Sequence, residues 1–277
     1  MLIDGRKIAQ KILDDLKEKT ENLKAKGLVP KLYILTLQDD SASKSYVSQK
    51  IIKGREIGVD IEVERIDSDI ETENLLKTVK NLNADPKINA IIIQRPLPSQ
   101  IDEEKIAKAI DPLKDVDGFN PNSKFIAPIS SAVLEILKNM HQNLKGKESF
   151  DAWLKSKDIV IIGRGVTAGQ PLIKTFEKLG IKPIVIDKDT TDRDTLLKKA
   201  DIIISAVGKK RMIENKNLKK GVILISIGMH KEEDGKFYGD YDETDIENKV
   251  SFYTPTPGGV GPVNVACLLQ NLISTVS

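Results

Sequence analysis

Ile159-Val160-Ile161-Ile162-Gly163-Arg164-Gly165-Val166-Thr167-Ala168-Gly169-Gln170-Pro171 is the stretch on which the fold turns. Four β-branched apolar residues read as a buried strand, three glycines interrupt the pattern, and the residues beyond Ala168 resume it at helical spacing. A strand that runs into a glycine-rich turn and out into a helix is how α/β domains cradle phosphate groups. Glycine lets the backbone approach a pyrophosphate, and the helix start offers free N–H groups at the positive end of its dipole. The spacing departs from G-x-G-x-x-G, because the third glycine falls one residue late, at Gly169. A plain strand-to-helix turn would carry the same glycines. Asp187, 24 positions after Gly163, ends the next strand, where a carboxylate commonly bonds the adenosine ribose. It favours NAD, since it repels a 2′-phosphate. Arg164 and Lys188 pull the other way, because either can pair with that phosphate. These residues alone leave the choice open.

Working outward, residues 158–162, 183–186, 202–206 and 222–227 read as strands, and 168–179 and 192–199 as helices. A separate series precedes them: a helix over 4–26 closed by Gly27, a strand over 32–37, a helix over 41–57 stopped by Gly58, a strand over 59–66, a helix over 72–83 and a strand over 88–93. Residues 134–140 predict a bridging helix, 142–155 a linker, and 262–276 a final helix with Pro262 near its first turn. Strands alternating with helices twice over predict two α/β domains with parallel sheets covered on both faces. A chain of 277 residues suits two domains better than one.

Composition narrows the function. Apolar residues make up 40% and charged residues 30%, and 43 basic against 41 acidic side chains leave a formal charge of +2. That near-cancellation gives no broad field for nucleic acid or an anionic membrane, so an anionic ligand must be met locally. Cys267 is the only cysteine, which excludes an internal disulfide and points to a reducing cytoplasm. The apolar runs, such as 90–93 and 222–225, fall far short of the roughly 20 residues of a membrane span, and the N-terminus has no signal-peptide core. His141 and His230 are not spaced as ligands with each other or with Cys267, so no metal site is expected. Cys267 itself reads as core packing.

The candidate chemistry lies in the first series. Tyr46 and Lys50 stand four apart on a predicted helix and share a face. A lysine in a cleft acts as acid or base when burial lowers its pKa, and a phenol beside it can donate or accept a hydrogen bond. Gln94 closes an apolar strand, at the end where α/β sheets bind ligands. Asp117 sits in Lys114-Asp115-Val116-Asp117-Gly118-Phe119, where glycine permits a tight turn that can present the carboxylate inward. The loop Thr254-Pro255-Thr256-Pro257-Gly258-Gly259-Val260-Gly261-Pro262 mixes stiff prolines with permissive glycines and can bring backbone close to a flat ligand.

With these pieces in order, the chain resembles the bifunctional methylenetetrahydrofolate dehydrogenase / methenyltetrahydrofolate cyclohydrolase family over essentially its whole length. The resemblance rests on Ala42-Ser43…Tyr46-Val47-x-x-Lys50, Gln94-x-Pro96-Leu97-Pro98, residues 114–119, Gly163-Arg164…Gly169-x-Pro171, Ala206-Val207-Gly208 and the glycine-proline run 257–262. It implies a folate-binding catalytic domain over 1–133, completed by the helix 262–277, and a Rossmann-type NAD(P)-binding domain over 140–258, with folate in the cleft between them. Asp117 would recognise the 2-amino-4-oxo edge of the pterin through two parallel N–H bonds. Tyr46 would stack on or bond the folate, Lys50 would activate water and handle protons with Gln94 holding it, and Pro257, Gly258, Gly259 and Pro262 would line the substrate. Gly163, Arg164, Gly165, Gly169, Asp187, Lys188 and Met229 would lie along the cofactor, NADP, with NAD admitted by Asp187. A homodimer, a cytoplasmic setting and a place in one-carbon metabolism that feeds purine biosynthesis are also implied.

The chain departs from that family mostly around the cofactor. Ile126-Ala127-Pro128-Ile129-Ser130 replaces Cys-Thr-Pro-Arg-Gly, Ser226-Ile227-Gly228-Met229-His230 replaces Asp-Val-Gly-Ile-Asn, and Pro262-Val263-Asn264 replaces Pro-Met-Thr. Gly165 stands where serine is usual, and Asp187-Lys188-Asp189-Thr190 replaces a His-Ser-x-Thr segment. The alternatives are an NAD-dependent monofunctional dehydrogenase, a dehydrogenase of amino or hydroxy acids, and a nucleotide sensor without turnover. The amino- or hydroxy-acid dehydrogenase leaves Tyr46, Lys50, Gln94 and Asp117 unexplained, and a sensor has no need of a proton-transfer lysine.

Overall fold

The first series forms as its pattern predicts. α1 (Gly5–Ala25) buries Ile8, Leu13, Leu16, Thr20 and Leu23 along one stripe, and Gly27 ends it at φ +76°. β1 (Lys31–Thr36), α2 (Ser41–Glu56), β2 (Asp60–Arg65), α3 (Thr72–Ala84) and β3 (Ala90–Gln94) follow, then α4 (Glu103–Ala109), a helix the pattern does not predict, and α5 (Pro128–Asn143), which contains the predicted 134–140 helix. The three strands form a parallel sheet in the order β2-β1-β3. Thr36 pairs with Gln94 at the carboxyl end of that sheet. Leu75, Val79 and Leu82 of α3 pack one face of the helix into a cluster with Leu35, Ile91, Ile93, Leu97 and Ile106. Gln94, the first polar residue of β3, is therefore held at the sheet edge by four buried neighbours, Ala90–Ile93.

The computed structural model describes residues 1–37, 41–144 and 148–276. It divides into two compact units, one of Gln10–Pro128 with Val265–Ser277, the other of Met1–Ala9 with Ile129–Asn264.

Residues 142–155, read above as a linker, carry a further helix, α6 (Phe150–Lys155), whose Ser149 hydroxyl accepts the Ala152 N–H at 3.3 Å. Its buried Trp153 and Leu154 span too little chain for a helical period to be read. Residues 145–147 of that stretch lie outside the described residues. The elements β4 (Ile159–Ile162), α7 (Gly169–Lys178), β5 (Ile184–Ile186), α8 (Arg193–Lys199), β6 (Ile202–Ser205) and β7 (Ile223–Ser226) then match the predicted series. A short antiparallel hairpin, β8 (His230–Lys231) with β9 (Phe237–Tyr238), comes next, followed by α9 (Glu243–Ile246), β10 (Phe252–Tyr253) and α10 (Val260–Ile273).

The five-stranded parallel sheet runs β10-β7-β6-β4-β5. β4 has β5 on one side and β6 on the other, so the strand order reverses at β4. Open α/β sheets bind ligands just beyond the carboxyl end of the strand at such a reversal. Gly163 stands there. The chain's own N-terminus extends this sheet beyond β10: the Ile3 N–H donates to Tyr253 O at 2.8 Å, and the Tyr253 N–H to Met1 O at 3.1 Å.

Candidate active site

In the catalytic unit, α2 carries Tyr46 half-buried and Lys50 buried one turn later. The Lys50 ammonium donates to Gln94 Oε1 at 2.9 Å. Gln94 Nε2 donates to Arg95 O at 2.8 Å, which fixes the amide so that its oxygen, and not its nitrogen, faces the lysine. Burial pulls the Lys50 pKa below 10.5, and the negative charge of Asp117 opposes that fall. Three of the four predicted residues thus act on one another across α2, the end of β3 and the turn after α4. Burial also pushes the Tyr46 phenol up, so it stays protonated and able to donate.

The turn that presents Asp117 is anchored from several sides. Asp115 is fully buried, and its Oδ2 accepts the Asn120 N–H at 2.7 Å. Ser123 Oγ donates to Asp115 O at 2.9 Å. Gly118 takes φ +71°, and a Cβ there would lie 2.9 Å from the Ala127 nitrogen, so only glycine fits. Lys114 turns away from the site: its ammonium caps the carboxyl end of α3, donating to Asn83 O at 2.8 Å and Asp85 O at 2.7 Å. Asn271 of α10 bridges Val116 O at 2.9 Å and Ile126 O at 3.0 Å. Sequence reading missed Asn271, Asp115 and Arg95. The doubled aspartates of residues 114–119 were the one local signal for Asp115.

The other unit holds the predicted cofactor residues. Gly163 leaves β4 at φ +100°. A Cβ on Gly169 would come within 2.2 Å of Gly163 O, so the late third glycine lets α7 start directly against the turn. A Cβ on Gly165 would meet nothing within 4 Å. That leaves open space over the turn beside the α7 N-terminus, as a phosphate-binding turn requires. Arg164 Nε donates to Asp187 Oδ2 at 2.9 Å. The other Asp187 oxygen accepts the Asp189 N–H and the Thr190 hydroxyl, each at 3.1 Å. These bonds, the Asp189 N–H foremost, hold its carboxyl below the usual range. Lys188 is exposed and Met229 half-buried. A Cβ on Gly208 would lie 2.8 Å from Met229 O, so the 206–208 turn and Met229 are in contact.

Asp240, also missed, organises this end of the sheet. It is fully buried and accepts Ser205 Oγ at 2.5 Å, the Val207 N–H at 3.1 Å and the Lys209 N–H at 2.8 Å. Pro257, Gly258, Gly259 and Pro262 belong to this unit too. Gly258 takes φ +109°, and a Cβ on Gly5 would collide with Gly259 O at 1.8 Å, so the N-terminus of α1 buttresses the loop. Pro262 is the third residue of α10. His230 Nε2 lies 3.2 Å from Glu232 Oε1, and Cys267 is buried. Among the described residues no three His, Cys, Asp or Glu side chains form a group that could hold a metal, and no helix is long and apolar enough to cross a membrane.

Comparison with known proteins decides what this arrangement belongs to. Residues 3–117 match the model of the tetrahydrofolate dehydrogenase/cyclohydrolase catalytic domain, and residues 127–277 that of the same family's NAD(P)-binding domain. The chain belongs to the tetrahydrofolate dehydrogenase/cyclohydrolase family. It is 36% identical to the bifunctional protein FolD of Nautilia profundicola, over 98% of this chain and 95% of the relative. The crystal structure of the bifunctional FolD methylenetetrahydrofolate dehydrogenase/cyclohydrolase of Campylobacter jejuni superposes with a TM-score of 0.90 at 33% identity, covering 100% and 98% of the two chains. That of the Trypanosoma brucei enzyme, complexed with NADP and an inhibitor, gives 0.89 at 26% identity, covering 100% and 97%. As a family member the chain is an enzyme of the methylenetetrahydrofolate dehydrogenase/cyclohydrolase type.

Proposed function

We propose that the chain oxidises methylenetetrahydrofolate with NADP and hydrolyses the methenyl product to formyltetrahydrofolate, both on the residue set of the catalytic unit. The observation that carries this reading is the buried Lys50, 2.9 Å from Gln94 Oε1 and within the field of Asp117. Asp117 accepts two N–H bonds from the 2-amino-4-oxo edge of the pterin, and Tyr46 packs on or bonds the folate. In hydrolysis, Lys50 with its lowered pKa takes a proton from water as the oxygen bonds to the methenyl carbon. It returns a proton to the ring nitrogen that leaves, and one proton is released overall. Gln94 keeps the amine aimed. In oxidation no general base is required, because the lone pairs of the flanking nitrogens stabilise the cation left on the carbon, and the protein's work is alignment. The nicotinamide, when bound, supplies the hydride acceptor. Gly163, Gly165 and Gly169 would seat its pyrophosphate, Pro257, Gly258, Gly259 and Pro262 would line the folate, and Arg164, Lys188 and Met229 would flank the dinucleotide. Catalysis in the cytoplasm, by a homodimer supplying one-carbon units for purine synthesis, belongs to the same proposal, as do domain limits of 1–133 with 262–277 and 140–258.

A second reading, that NAD is used as well, is favoured by one contact. Asp187 occupies Arg164, the group best suited to a 2′-phosphate. The test is a spectrophotometric assay of methylenetetrahydrofolate oxidation with NADP and NAD in parallel, repeated with Lys50→Ala. We expect turnover in the wild type, and a loss of methenyl hydrolysis of ~100-fold or more in the variant with cofactor binding near normal. Equal loss of hydrolysis and cofactor binding would make Lys50 structural, and no folate turnover at all would sink the assignment.

A further inference from the structure

The Arg95 side chain is only 10% exposed and borders a pouch lined by Ile91, Ile93, Leu97 and Ile106 and by the carboxylates of Asp115 and Asp117. Removing a guanidinium from water is expensive unless its geometry is well satisfied. Two contacts satisfy it: an ion pair to Glu103 of α4, and the ring of Phe119, whose centroid lies 4.0 Å from Cζ. Phe119 stands two residues beyond Asp117, on the same anchored turn. The Arg95 carbonyl meanwhile receives the Gln94 amide and thereby turns its oxygen to Lys50. One residue therefore touches both halves of the proposed folate set, through its backbone on the proton-transfer side and through its side chain on the pterin-recognition side.

We infer that Arg95 is a positioning residue for folate: clamped between Phe119 and Glu103, its guanidinium holds the Asp117 turn at a fixed distance from the Lys50–Gln94 pair. This rests on the reading that folate binds at Tyr46, Lys50, Gln94 and Asp117. A flat guanidinium suits this task because it stacks on an aromatic face while its edge pairs with a carboxylate, which a lysine ammonium does less well. The clamp acts on where Asp117 sits and not on any proton, so it governs folate affinity in both half-reactions.

The experiment compares wild type, Arg95→Met, Arg95→Lys, Phe119→Leu and the Arg95→Met/Phe119→Leu double variant. It measures the KM for methylenetetrahydrofolate, the KM for NADP and the rate of methenyl hydrolysis. We expect Arg95→Met to raise the folate KM ~10-fold while the NADP KM stays within about twofold. Arg95→Lys should fall between, and the double variant should be no worse than about the poorer single, because both break one contact. Folate and NADP constants that rise together, an unchanged folate KM, or single effects that multiply in the double variant would each overturn the inference. Should Arg95→Met fail to fold, Glu103→Gln releases the outer half of the clamp from a more exposed position, and a folate KM within experimental error of wild type would be equally decisive against it. Folate turnover by the wild type tests the underlying reading separately, so the two can fail independently.

Discussion

Asp115 and Asp117 stand two residues apart in one turn, and their surroundings divide them. Asp115 gives one oxygen to the Asn120 N–H, while its Oδ1 is buried with no partner among the described residues. Burial pushes its carboxyl up to about 6, with the charge of Asp117 adding to the shift. A carboxyl whose folded pKa exceeds its unfolded value binds its proton more tightly in the native state, so stability is full below about pH 4 and is lost as pH rises through about 6. Asp115→Asn keeps the acceptor for Asn120 and removes the buried charge. It should stabilise the protein by roughly 1–3 kcal/mol at pH 8 and by clearly less at pH 4.5. Urea midpoints at the two pH values check this, and a gap of equal size at both would show that Asp115 does not ionise in that window. In the other unit, Asp187→Ser should free Arg164 and raise the NADP-to-NAD ratio of kcat/KM by roughly fivefold or more. An unchanged ratio would mean that the carboxylate faces away from the ribose. Tyr46, Lys50, Gln94 and Asp117 were legible because each sits in a short motif with a local meaning: one helix turn, one strand end, one Asp-Gly. Arg95, Asp115, Asn271 and Asp240 were not, because their roles depend on partners distant in the chain or on depth of burial, and neither leaves a trace in spacing.

The longer elements could be read because apolar residues recur in them through more than one period, as in α1, α3 and the buried strands. The failures are short. α4, α6, α9, β8, β9 and β10 are each stabilised by what they dock against, and a two-residue strand such as β10 has no pattern of its own. It exists because β7 and the N-terminal residues flank it. The late glycine of the nucleotide turn shows the opposite case, a departure from the usual spacing that the structure explains. With a Cβ at Gly169 only 2.2 Å from Gly163 O, Gly169→Ala must push the start of α7 off the turn. We expect the NADP KM to rise ~10-fold or more, with the rate of methenyl hydrolysis changed less than about twofold, because that reaction needs no cofactor. Gly165→Ala, where a Cβ meets nothing within 4 Å, should alter stability by less than about 0.5 kcal/mol. If the two alanines behave alike in thermal unfolding and kinetics, crowding at the turn is not what selects glycine.

At the scale of the molecule, the residues of the proposed chemistry fall in two compact units of one chain, with Asp117 in one and the glycine turn with Asp240 in the other. A ligand that binds only the folded form stabilises what it binds by mass action. NADP at 100 times its dissociation constant should add about 2.7 kcal/mol, or several degrees in Tm for a chain of this size. Asp117→Ala should keep that increment, since the proposal assigns its carboxylate to the folate set, even as folate turnover collapses. Asp240→Ala leaves Ser205 Oγ and the Val207 and Lys209 N–H groups without their acceptor, so the turns at the carboxyl end of β6 lose their common anchor. That variant should unfold at lower temperature and lose most of the NADP increment. Differential scanning fluorimetry of the three proteins, with and without NADP, separates the cases. An NADP increment lost in Asp117→Ala but kept in Asp240→Ala would reverse the assignment of recognition to the two units.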